Sequence, residues 1–96
     1  MERTYSVYIL ASRRNGTLYT GVTGNLPQRV CLHKAGKGSA FTSRYGVRHL
    51  VHAESFADVH EAIAREKAIK KWRRDWKLQL IERDNPDWRD LSGALL

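Results

Sequence analysis

The chain has 96 residues, a formal net charge of +7 at pH 7 and a single cysteine, Cys31. That length suits one domain over residues 1–96 that folds without staples, and one cysteine excludes an internal disulfide or a cysteine-based zinc cluster. Met1–Ser6 lacks a signal-peptide pattern and no apolar run approaches the roughly 20 residues of a membrane span, so a cytoplasmic protein with no membrane partner is expected.

Tyr5–Ala11 (YSVYILA) is apolar and β-prone, and predicts a strand. Arg13-Arg14-Asn15-Gly16 carries the Asn-Gly pair that favours a tight hairpin, and Thr17–Val22 returns as the second strand. Asn25 caps a helix that tolerates Pro27 in its first turn and runs to about Lys34. Cys31 within it reads as a small buried hydrophobe in a reducing compartment. Ala35–Gly46 holds Gly36, Gly38 and Gly46 among Ser and Thr, and reads as a loop. Arg48–Phe56 alternates enough for a third strand. Asp58–Arg74 reads as a long amphipathic helix, with Asp58 and Glu61 at its start in a capping-box-like pair. Asp75 starts a further helix through Arg83, and Asn85-Pro86 breaks it.

Glu66 is the residue out of place. Val59, Ala62, Ile63, Ile69 and Trp72 mark the buried stripe of the long helix, and Glu66 falls inside that stripe. An unpaired buried carboxylate is costly. Glu66 therefore either pairs with an inward base such as Arg29, binds a cation, or lines a cleft. Around it the chain is strongly basic. Arg65, Lys67, Lys70, Lys71, Arg73, Arg74 and Lys77 face only Glu66 and Asp75 as acids. Such a block points to phosphate contacts. Helical spacing puts Lys67, Lys70, Lys71 and Arg74 on one outer face, where they are the candidate nucleic-acid-binding residues. Trp72, Trp76 and Trp88 could stack on bases, but Trp72 and Trp76 read first as anchors of the helix to the core.

Arg29 and His33 are four apart and share one face of the first helix. A guanidinium there can bind phosphate oxygens and stabilise developing charge, and a histidine can bind phosphate or move a proton. Tyr8 and Tyr19 lie near the middle of the paired strands, which by itself suggests cross-strand packing. Gly21, two residues on, marks a close backbone approach or a bend.

Taken in order, Ser6-Val7-Tyr8, Tyr19-Thr20-Gly21, Arg29 with His33, and Glu66 resemble the motifs of the GIY-YIG nuclease superfamily. Gly36-Lys37-Gly38, Thr42, the Glu66 to Ile69-Lys70 segment and Asn85-Pro86-Asp87-Trp88-Arg89-Asp90-Leu91 extend the resemblance to the small stand-alone bacterial branch. Ser6 stands for the glycine of the family name, Val7 and Thr20 for its isoleucines. A further histidine carried by some members after the first helix is absent, so its role is either unfilled or taken by Ser43 or Arg44.

The resemblance implies an α/β (α+β) domain. Its small three-stranded, mainly antiparallel sheet is flanked by helices in the order β-β-α-β-α-α. It also implies phosphodiester hydrolysis. Tyr8 would activate water and Tyr19 would position water or phosphate. Arg29 would neutralise developing charge, and His33 would assist proton transfer or bind phosphate. Glu66 would hold Mg²⁺ or Mn²⁺, and Gly21, Ser43, Arg44 and Asn85 would be auxiliary. The expected partner is nucleic acid, DNA before RNA, with repair or processing of structured DNA as the setting. A nucleic-acid-binding module with little turnover is the rival expectation. A protein adaptor whose basic helix meets an acidic partner is a third.

Overall fold

The computed structural model describes residues 3–95. Its strands are β1 (Tyr5–Ala11), β2 (Leu18–Thr23) and β3 (His49–Phe56). Its helices are α1 (Leu26–Lys34), α2 (Ala40–Tyr45), α3 (Val59–Lys71) and α4 (Arg74–Asp84), followed by a 3-10 turn at Leu91–Leu95. The sheet is antiparallel in the order β2-β1-β3. Among the described residues no helix is long and apolar enough to cross a membrane.

The apolar run of β1 has a structural reason. The strand is central and covered on both faces, so every residue from Val7 to Ala11 is buried. Alternation then divides the core. Val7, Ile9 and Ala11 pack with Ala62 and Ile69 of α3 and Leu80 and Ile81 of α4. Tyr8 and Leu10 face the other way, onto Leu26 and Val30 of α1. The first hairpin closes through Ser12 N–H to the Thr17 carbonyl, with Asn15 at φ 57° in the left-handed region that asparagine tolerates. A register shift between Ile9 and Leu10 sets Val51 of β3 outside the regular pairing.

The caps behave as the sequence implies. The Asn25 side chain accepts from Gln28 N–H at 3.2 Å, and Asp58 accepts from His60 N–H at 2.8 Å. Four expectations need correcting. Ala35–Gly46 contains α2, capped by Ser39 and ended by Gly46 at φ 63°. A six-residue helix is too short to show a period among Gly and Ser, and only its two caps signalled it. The long helix stops at Lys71, because Trp72 takes extended backbone, and Arg74 opens α4. Cys31 is exposed on α1. Trp72 does pack against the core, but Trp76 is 46% exposed.

The chain after α4 is fastened to the sheet. Buried Asn85 donates to the carbonyls of Val51 and Arg89 and accepts from Arg89 N–H. Asp90 accepts from Lys34 Nζ at 2.5 Å, and from Leu50 and Ser92 N–H. Burial opposes the charge of Asp90, but Lys34 and Ser92 outweigh it and hold the carboxyl well below its usual range.

Candidate active site

Tyr8 and Gly21 are direct cross-strand partners. The phenol lies across the glycine, so a Cβ on Gly21 would stand 2.5 Å from the Tyr8 hydroxyl and 2.6 Å from Cζ. Glycine is needed here for space, so of the two expectations for Gly21, a close approach or a bend, the structure shows the close approach. The hydroxyl thus reaches His33 Nε2 on α1, at 3.1 Å. Tyr19 completes the group, with its ring 6.3 Å from Tyr8 and 5.4 Å from His33 between centroids.

His33 is 1% exposed and held from behind. Its Nδ1 lies 3.0 Å from Thr42 Oγ1, and Thr42 in turn contacts Ser39 Oγ at 2.9 Å and the Ser39 carbonyl at 3.3 Å. Gly38 presses on the ring, since a Cβ there would meet Nδ1 at 2.1 Å. When the Thr42 hydroxyl donates to the Ser39 carbonyl, Nδ1–H donates to Thr42 and Nε2 accepts the Tyr8 O–H. That chain of donors gives Tyr8 a proton acceptor. Thr42 belongs to the motif residues, but its role behind His33 has little local signature, because Ser39 and Thr42 sit at the start of a helix of only six residues. Its one local signal was a serine three residues before a threonine.

The charges agree with this geometry. Burial, then Tyr19, raises the Tyr8 pKa above its ordinary value, Arg29 opposes the rise, and Glu66 adds to it. Burial, then Arg29, lowers the His33 pKa. Arg29 and Glu66 thus work against each other at Tyr8, the first lowering its pKa and the second raising it. Burial dominates for both groups, so Tyr8 rests as a phenol and His33 as a neutral imidazole.

Glu66 is 13% exposed, and its ion pair within 4 Å is with Lys70, at 3.1 Å, rather than with Arg29. The preceding residue, Arg65, turns the other way. It donates twice to Glu54 of β3, at 2.9 and 3.0 Å, and Glu54 also contacts His52 at 2.7 Å. Among the described residues no group of three or more His, Cys, Asp or Glu could hold a metal ion. A single carboxylate fits only an ion whose other positions are water and substrate phosphate oxygens, which is the habit of Mg²⁺.

Other candidates are placed elsewhere. Ser43 and Arg44 are exposed. Arg44 lies over the Tyr45 ring at 5.5 Å, and Thr42 rather than either of them reaches His33. Asn85 is occupied by main-chain groups of Val51 and Arg89. Lys67, Lys70 and Lys71 are exposed on α3. Arg74 is not on their face. It starts α4 and donates to the carbonyls of Asn15 and Gly16 at 2.8 and 2.6 Å, tying the helix to the hairpin turn. A groove of about 490 Å³ on the Arg65 side of α3 is lined by Trp72, Trp76, Gln79, Leu80 and Arg83, with none of the five candidate catalytic residues.

The family model of the GIY-YIG catalytic domain matches residues 4–79. A UPF0213 protein from Staphylococcus haemolyticus is 42% identical over 76 residues, which is 79% of this chain and 92% of the relative. One from Clostridium perfringens is 45% identical over 75 residues, 78% of this chain and 80% of the relative. The solution NMR structure of a UPF0213 protein from Bacillus halodurans superposes with a TM-score of 0.57 at 31% identity, over 91% of this chain and 92% of that one. With the hairpin, α1 and Glu66 all inside the matched span, the chain belongs to the GIY-YIG nuclease superfamily, among the small UPF0213 proteins.

Proposed function

We propose that the protein is a divalent-metal-dependent endonuclease that hydrolyses phosphodiester bonds in DNA, in the cytoplasm, in the repair or processing of structured DNA. The observation that carries this reading is the Tyr8 hydroxyl lying 3.1 Å from His33 Nε2, with Thr42 holding the imidazole from behind. In this reading Tyr8 passes its proton to His33 and takes one from the attacking water. Neutral His33, fixed by Thr42, is ready to accept. Tyr19 orders water or phosphate beside Tyr8, and Arg29 offsets the charge that develops on the phosphate. Glu66 would hold Mg²⁺ or Mn²⁺, whose chemistry is to act as Lewis acid and template. Lys70, paired to Glu66, is the cation such an ion would displace.

One observation favours the rival, a binding module with little turnover. The pKa of Tyr8 is raised, mainly by burial, so a phenolate is hard to form. A cleavage screen with Mg²⁺ and Mn²⁺ on duplex, nicked, flapped and single-stranded DNA separates the two. Metal-dependent products that Tyr8→Phe and Glu66→Gln abolish are expected. Binding without products on any substrate would leave the module.

A further inference from the structure

The candidate site continues into aromatic side chains that the proposed hydrolysis does not use. Tyr19 meets Phe41 at 6.3 Å between centroids, and Phe41 meets Tyr45 at 5.0 Å. Phe41 is 44% exposed and Tyr45 49%, and neither packs against the core clusters. The helix that carries them is nevertheless anchored. Ser39 caps it, and Thr42, 1% exposed, bonds to His33. The two rings are therefore half-exposed on a fixed base next to the candidate active site, with the exposed Arg44 guanidinium over the Tyr45 ring at 5.5 Å.

Charge narrows the occupant. Residues 35 to 48 carry Lys37, Arg44 and Arg48 and no Asp or Glu. Exposed aromatics interleaved with cations, continuous through Tyr19 with the candidate active site, match a nucleic-acid strand whose bases stack and whose backbone is neutralised. A continuous duplex keeps its base faces inside the stack, so only unpaired bases could use these rings.

We propose that Phe41 and Tyr45 form a stacking platform for unpaired nucleobases beside the phosphate bound at Tyr8, Arg29 and Glu66. The substrate class is then a single strand or the unpaired arm of a junction, not uninterrupted duplex. The proposal rests on the nuclease reading for the ligand being nucleic acid.

Metal-free binding of labelled single-stranded and duplex DNA of equal length tests it, with the parent protein, Tyr45→Ala and Phe41→Leu. Leucine keeps bulk against Tyr19 and removes the π-face. The parent should prefer the single strand. Each variant should lose at least about fivefold of single-strand affinity and leave duplex affinity and melting temperature unchanged. Unchanged single-strand affinity, or equal loss on both forms, overturns the platform, while metal-dependent cleavage by the parent would keep the nuclease reading. Absence of both binding and cleavage overturns both. A dimer in sedimentation that Tyr45→Ala dissociates would make these rings a self-association face and also overturn the platform.

Discussion

Gly21 and Tyr8 occupy space that only one of them can fill. With Tyr8 1% exposed, its ring has no room to retreat from a methyl group placed 2.5 Å from its hydroxyl. Gly21→Ala should therefore destabilise by about 1–3 kcal/mol and break the Tyr8–His33 hydrogen bond. Cleavage should fall about 10²–10⁴-fold, the usual loss when general-base chemistry is removed. Tyr8→Phe should match the kinetic loss while costing only about 1 kcal/mol. Melts and cleavage rates of the two variants, side by side, check this. Full activity in Gly21→Ala would show that the Tyr8 position is not critical.

His33 makes the protein sensitive to mild acid. Its folded pKa lies below the unfolded value of 6.5, so the unfolded state binds the proton first. The stability linked to neutral His33 is complete above pH 6.5 and is lost as pH falls through the lower folded pKa. Cleavage should follow the same direction, with its acid limb below the ordinary histidine range. In His33→Gln the stability loss should start only in the carboxylate range. Denaturant midpoints measured against pH for both proteins decide it.

Glu66→Gln should separate catalysis from folding. The ion pair it removes is with Lys70, four residues on and half exposed, and such pairs contribute about 0.3–0.5 kcal/mol. A small change in melting temperature is expected, together with loss of metal-dependent cleavage and unchanged or higher DNA affinity. A loss of several kcal/mol would mean that Glu66 has a structural partner beyond Lys70.

The basic helix should bind nucleic acid through Lys67 and Lys71, which are exposed on α3 and outside its ion pairs. Replacing both by glutamine should weaken DNA binding at every sequence and lower the salt slope by about one per lost phosphate contact. Arg74→Gln should leave the slope nearly unchanged and loosen the hairpin turn, because its guanidinium is held by Asn15 and Gly16. A larger slope change from Arg74 than from the two lysines would reverse this assignment.

Asn85→Ala should act on stability alone. It removes three buried or half-buried hydrogen bonds to Val51 and Arg89, for a loss of about 2–3 kcal/mol. That corresponds to a melting temperature lower by at least about 8 °C. Cleavage below the melting range should be retained. A selective loss of kcat would return Asn85 to the site.

Local pattern decided much of this protein. The apolar run of β1, the turn at Asn15-Gly16, the caps Asn25 and Asp58 and the inward place of Glu66 all depend on near neighbours in sequence, so periodicity and side-chain chemistry expose them. Tertiary structure decided the partners. Tyr8 and His33 are 25 residues apart, and Arg74 and Asn15 are 59 apart. The Glu66–Lys70 pair is itself local, four residues apart on one helix, whereas no local pattern says that Thr42 will stand behind His33 or that Arg74 will brace a hairpin. Those outcomes follow from the strand order β2-β1-β3, which brings Tyr8 and Gly21 together under α1, and from the break at Trp72, which turns Arg74 away from the lysines of α3.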